Sequence, residues 1–207
     1  MTQYERMEKG LLYDPGDPEI TGEQAVFQER LWAFNQLRPD EREEKQRYMR
    51  EVFAEYGGDS YIELPLRANW GGRHLHLGSG VYANFNLTLV DDGHIYIGDR
   101  VMIGPNVTIA TASHPVDPGL RARGLQYNRD VRIGENVWIG AGAVILPGVC
   151  IGDSTVIGAG SVVTRDIPGG VVAFGNPCRV IRTVSERDRV FYYREERIDW
   201  DGLQPLL

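Results

Sequence analysis

From Leu77 onward an aliphatic side chain returns every six residues, and this period constrains the fold more than any other feature. The first block is Leu77, Ala83 and Leu89. The second is Ile97, Ile103 and Ile109, and the third runs Ile133, Ile139, Ile145, Ile151, Ile157, Val163. Seven of these twelve are followed directly by glycine. The chain holds 25 glycines in 207 residues, well above the usual ~7%, and they are spaced rather than clustered. A period of six matches neither a 3.6-residue helix nor two-residue strand alternation. It matches a mainly β chain wound as a parallel β-helix of hexapeptide repeats. Three repeats close one triangular coil, the aliphatic points into the prism, and coils stack at the ~4.8 Å strand spacing. The glycine beside each aliphatic is expected to serve the corner through a positive φ.

The interruptions carry the functional signal. Leu89 to Ile97 spans eight residues, so two extra residues are expected to bulge outward near Asp91-Asp92-Gly93-His94. Ile109 to Ile133 keeps the phase, yet the in-phase residues are Pro115, Arg121 and Tyr127. Residues 111–130 therefore read as a loop thrown out of the prism wall, the usual place for function on a rigid scaffold.

Residues 1–60 read as a helical segment, residues 61–184 as the β-helix, and residues 185–207 as a C-terminal extension. Thr2 with Glu5 forms a capping-box pattern, and Gly10 is a helix stop. Phe27, Leu31 and Phe34 mark a helix over Gly22–Leu37. Asp40 with Glu43 starts another, carrying Tyr48, Met49, Val52, Phe53 and Tyr56 to Gly57-Gly58. Such helices cap a prism whose open end would expose strand edges. Arg179 to Arg197 reads as a charged helical extension, with Gly202–Leu207 frayed.

A net charge of −7 argues against nucleic acid as a partner. No apolar run nears the ~20 residues of a membrane span, and no signal-peptide core opens the chain. Cys150 and Cys178 make no disulfide framework, which places the chain in a reducing cytoplasm.

Specific motifs go further. Tyr82-Ala83-Asn84-Phe85-Asn86-Leu87-Thr88, Val90-Asp91-Asp92, Ser113-His114-Pro115-Val116, Ile133-Gly134-Glu135-Asn136-Val137-Trp138-Ile139-Gly140 and Gly175-Asn176-Pro177-Cys178-Arg179 resemble the maltose and galactoside O-acetyltransferases. Glu5-Arg6-Met7-Glu8-Lys9-Gly10 with Tyr13-Asp14 resembles that family's N-terminal helical segment, so the likeness spans about residues 4–184. It implies a left-handed β-helix, a homotrimer with sites between subunits, and transfer of acetyl from acetyl-CoA to a sugar hydroxyl. It implies no metal.

Acetyl transfer to an alcohol needs a base, an oxyanion donor and a slot for the thioester. His114 stands on the extruded loop and aligns with the family's catalytic histidine; imidazoles titrate near 6.5, suited to proton removal at neutral pH. A lone loop histidine is more often a surface residue, but here motif and loop agree. Asn84 matches the family residue beside the thioester, against the plainer reading of a turn asparagine. By the same resemblance Asp14, Asn69, Tyr82, Asp92 and Gln126 face the acceptor sugar, their amides and carboxylates suiting hydroxyls. Asp14 is equally at home in a plain Asp-Pro-Gly-Asp-Pro turn. The acetyl-CoA side comprises Trp138, Ala141, Ala159, Thr164, Arg165, Arg179 and Arg182, the arginines meeting phosphates. Their plain reading is solvated surface charge. His74 and His76 read as packing or surface residues and His94 as a turn residue. The rivals are a zinc lyase on the same prism, which needs three convergent histidines, a non-catalytic scaffold, and acetyl transfer to a non-sugar acceptor.

Overall fold

The period-six residues form the interior of a parallel β-solenoid of about six turns, seen in a computed structural model that describes residues 1–204. All twelve aliphatics of the repeat are buried to 3% exposure or less. They stack in three ladders, one per face. Leu77, Ile97, Ile133 and Ile151 form the first. Ala83, Ile103, Ile139 and Ile157 form the second. Leu89, Ile109, Ile145 and Val163 form the third. Backbone N–H groups of each coil donate to carbonyls of the coils on either side, so strands of only two or three residues are stable as a stack.

The glycines act differently from expectation. Those that follow the aliphatics have no positive φ. Their requirement is space: a Cβ on Gly140 would lie 2.5 Å from the Ala159 nitrogen, and one on Gly158 would lie 2.7 Å from the Phe174 Cβ. The left-handed residue comes two positions later. It is Gly in some coils, such as Gly142 and Gly160, and Asn106 or Asn136 in others, since a short amide tolerates that region.

The solenoid also begins one coil earlier than the repeat count implies. Glu55–Tyr56, Tyr61–Ile62 and Arg67–Ala68 pair with the coil below them. Helix α3 (Arg42–Val52) accordingly ends before Tyr56, with Phe53 already extended. Its N-cap is Glu41 rather than Asp40. Helix α1 (Gln3–Glu8) carries the expected Thr2–Glu5 capping box. Helix α2 (Pro18–Phe34) starts four residues before Gly22, because Asp17 caps it and Pro18 occupies its first turn. Leu31, Phe34, Tyr48, Met49 and Val52 join the core of the first coils, closing that end of the prism.

At the other end the expected helix over Arg179–Arg197 is absent. Arg179–Thr183 runs antiparallel to Val171–Phe174, and a 3-10 turn (Glu186–Arg189) leads to a hairpin of Phe191–Tyr193 with Glu196–Arg197. The β-branched pair Val180-Ile181 favours pairing with the last strand, which occupies its free edge. Gly202 and Leu203 close a short helix (Trp200–Leu203), and the end of the expected frayed stretch, residues 205–207, lies outside the described residues. Among the described residues, no helix is long and apolar enough to cross a membrane.

The extra residues of successive coils all leave at one corner, between the third face and the first. Residues 69–74, 91–94 and 111–130 stack there. Asp91 does not bulge outward as expected. It is fully buried, and its two carboxylate oxygens accept from the Trp70 and Gly72 N–H groups at 2.8 and 2.9 Å. Burial nevertheless pushes its carboxyl up to about 7, against the opposing pull of those two donors. Asp91→Ala strands both donors, so it is expected to cost roughly 2–4 kcal/mol of stability, read as a lower urea midpoint with unchanged m-value.

Candidate active site

The extruded segment is an arm rather than a loose loop. Ala112–Ser113 pairs antiparallel with Tyr127–Asn128, and a short helix (Pro118–Ala122) forms its tip. His114 follows the outgoing strand and is exposed. Its Nδ1 lies 2.8 Å from the Leu125 carbonyl oxygen on the returning side. A carbonyl only accepts, so Nδ1 carries the proton and Nε2 presents its lone pair outward. The arm thus fixes both the tautomer and the direction of the imidazole.

The base of the arm gathers three of the expected acceptor residues. Asn69 Nδ2 donates to Asp92 Oδ2 at 2.8 Å, and Gln126 Nε2 donates to Asp92 Oδ1 at 3.2 Å. Two residues missed in the sequence complete the cluster: Tyr13, whose hydroxyl donates to Asn128 Oδ1 at 3.3 Å, and Asn128 itself. Burial, then the Asp92 charge, raises the Tyr13 phenol above its ordinary value. Tyr13 and Gln126 also pair through their main chains, at 2.9 and 3.0 Å. Asp14, the next residue, is exposed and spends Oδ1 on the Gly16 N–H at 2.9 Å, which realises the turn reading at that oxygen. Nothing periodic marks Tyr13. The available signal was the shared corner to which Asn69, Asp92 and the arm all return.

A groove runs down the second face. Tyr82, Asn84, Met102, Gly104, Trp138, Gly140, Ala141, Val156, Gly158 and Ala159 line it. Glycines in adjacent coils put no side chain into it, while Met102 and Trp138 stand half-exposed beside it. Asn84 sits above the glycine row. Its Oδ1 accepts from the Phe85 N–H at 2.8 Å, so its Nδ2 hydrogens are the ones left to face a ligand. Tyr82, expected on the acceptor side, stands in this groove and stacks in parallel with Tyr61, centroids 6.5 Å apart. In one chain it is therefore grouped with Asn84 and not with Asp92. His114 is likewise not among the groove residues.

The arginines divide. Arg179 flanks Phe174 at the lower end of the groove and donates to the Cys178 carbonyl at 2.7 Å. Thr164 and Arg165 are exposed at the following corner, and Arg165 makes no ion pair among the described residues. Arg182 is committed to Asp188 through two contacts of 2.7 and 2.8 Å, which hold the Asp188 carboxyl down at about 2. Its plain reading, surface charge, is the one its contacts support.

His74, His76 and His94 cluster more closely than the sequence indicates. His74 is buried against the Asp91 carbonyl at 2.7 Å, and burial lowers its pKa. His76 Nε2 lies 2.9 Å from His94 Nδ1. His76 Nδ1 lies 3.0 Å from Glu55 Oε2, so these rings are engaged with the backbone, with one another and with Glu55. Among the described residues, no group of three or more His, Cys, Asp or Glu is arranged to hold a metal ion.

Comparison with known proteins fits this layout. Residues 6–57 match the maltose acetyltransferase hexapeptide capping motif, and residues 130–165 match the bacterial transferase hexapeptide model of six repeats. The galactoside O-acetyltransferase of Lactococcus lactis subsp. lactis (strain IL1403) is 49% identical, over 97% of this chain and 97% of its own. That of Escherichia coli (strain K12) is 42% identical over 96% and 98%. A galactoside acetyltransferase solved in complex with coenzyme A superposes with a TM-score of 0.89 at 41% identity, covering 96% of this chain and 99% of that one. A maltose O-acetyltransferase from Clostridium difficile 630 gives 0.86 at 42%, covering 89% and 98%. With helical cap, solenoid and arm all accounted for, the chain belongs to the maltose and galactoside O-acetyltransferases.

Proposed function

We propose that this chain transfers acetyl from acetyl-CoA to a hydroxyl of a sugar or glycoside, with His114 as general base, in a cytoplasmic homotrimer. The observation that carries the mechanism is the Nδ1–H of His114 held by the Leu125 carbonyl, which leaves Nε2 as a directed base. His114 Nε2 takes the proton of the acceptor hydroxyl as that oxygen attacks the thioester carbonyl. Asn84 Nδ2 donates to the oxygen that becomes negative. When the carbon–sulfur bond breaks, the imidazolium returns its proton to the leaving thiolate. The groove is bare of side chains along Gly104, Gly140 and Gly158 and suits the narrow pantetheine arm. Arg165 and Arg179 are the cations for the phosphates.

In one chain the arm and the groove stand apart, so a neighbouring copy supplies the partner half of each site. Asn69, Asp92 and Gln126 then face the acceptor from the arm's own subunit. Tyr82 and Asn84 face it from the other.

The test is turnover: purified protein with acetyl-CoA and a galactoside or maltose should release free coenzyme A in step with an acetylated sugar seen by mass. Coenzyme A release without acetylated sugar contradicts the reading. Arg165→Ala should raise the KM for acetyl-CoA about tenfold while kcat at saturation holds, the pattern of lost uniform binding. An unchanged KM would make Arg165 a solvated surface charge.

A further inference from the structure

Asp92 is the centre of a polar network with a consistent direction. Asn69 and Gln126 each give an amide hydrogen to its carboxylate, at 2.8 and 3.2 Å. Asn128 Nδ2 donates to the Asp92 main-chain carbonyl at 2.9 Å. Behind these stands Tyr13, only 1% exposed. It accepts an amide hydrogen from Gln126 at 2.5 Å and gives its own proton to Asn128 at 3.3 Å. Asn69 and Gln126 thus reach the carboxylate directly, and Tyr13 is tied to Asp92 through Gln126 on one side and Asn128 on the other. Such a carboxylate is held in one orientation, and its remaining lone pairs are open to a donor brought from outside.

We propose that Tyr13 is a positioning residue which, through Gln126 and Asn128, fixes Asp92 as a hydrogen-bond acceptor and so selects acceptors carrying a second free hydroxyl besides the one acetylated. The inference rests on the sugar-acetylating reading above. A nearly buried carboxylate that meets an ether or a bare methylene in place of a hydroxyl is left short of a donor, and sites of that kind discriminate strongly. Tyr13 makes its main-chain pair with Gln126 whatever its side chain is. Tyr13→Phe therefore removes the phenolic contacts while leaving the strap that holds the arm.

The test compares kcat/KM for a methyl glycoside with that of each monodeoxy analogue that keeps the acetylated hydroxyl. Wild type should disfavour at least one analogue by about tenfold or more. In Tyr13→Phe that ratio should fall to within about threefold, through a higher KM for the parent glycoside, with the KM for acetyl-CoA changed less than about twofold. A merely structural role would lower turnover of parent and analogue together and leave the ratio alone. The same ratio in wild type and Tyr13→Phe overturns the proposal, as does a wild type indifferent to every deoxy position. If Tyr13→Phe fails to fold, Gln126→Met carries the same expectation by removing the amide donor to Asp92. A wild type that acetylates no sugar removes the underlying reading as well; sugars acetylated with an unchanged ratio remove this inference alone.

Discussion

Replacing His114 by alanine should lower kcat by about 10²–10⁴, or about 3–5 kcal/mol of barrier, the usual share of a general base. The side chain's one hydrogen bond among the described residues is to the Leu125 carbonyl, and the residue is exposed. Stability should therefore change little. The groove does not include His114, so affinity for acetyl-CoA should hold. Wild-type kcat/KM should rise with pH along the acid limb, since an imidazole must shed its proton before it can accept another. In His114→Ala that limb should vanish with most of the activity. Near-normal kcat in the variant would reduce His114 to a loop residue.

Asn84→Ala should lower kcat by about 10²–10³, or roughly 3–4 kcal/mol, as for other single oxyanion donors. The residue also caps the Phe85 N–H, so alanine alone mixes two losses. Asn84→Asp separates them. It keeps an oxygen for Phe85, removes the donor, and sets a negative charge where another develops. Aspartate should therefore be at least as damaging to kcat as alanine while melting closer to wild type. If aspartate restores turnover, the cap matters and the donor does not.

The solenoid was legible because its physics repeats. Twelve aliphatics at a spacing of six, three before the Asp91-Asp92 insertion and nine after it, produced three ladders, and a period of six has few other structural solutions. The first coil was less legible: Ala68 and Leu77 are nine residues apart, so Tyr56 reads as the end of a helix, and Ile62 and Ala68, though within the span that reads as β-helix, do not stand out as its repeats. The glycine role failed for another reason. Composition says that no Cβ is tolerated but not why. At Gly140 the cause is the backbone of the next coil, and torsion is relieved two residues later. The C-terminal segment misled through its charges, which masked the alternation of a strand that only the unpaired last coil gives reason to form.

The site was legible in part. His114 and Asn84 stood out because a loop and a motif coincided with them. Asn69, Asp92 and Gln126 were named by resemblance alone, and they converge because three insertions share one corner. Tyr13 stands out only as part of the N-terminal motif and Asn128 not at all: 113 residues separate Tyr13 from Gln126, and a contact at that range leaves no local trace. The Leu125 carbonyl is backbone, which no residue type announces. Arg182 shows a tie that the sequence does not announce, its pair with Asp188.

The most direct test of a site shared between copies is complementation. His114→Ala and Asn84→Ala chains, each nearly inactive alone, are co-folded and their turnover compared with each parent. If the arm of one copy serves the groove of the next, random mixing leaves about a quarter of the interfaces with both residues intact, and roughly that fraction of wild-type activity should return. A mixture no more active than its parents, once mixed trimers are verified by native mass, would contradict a shared site and return the chemistry to a single chain.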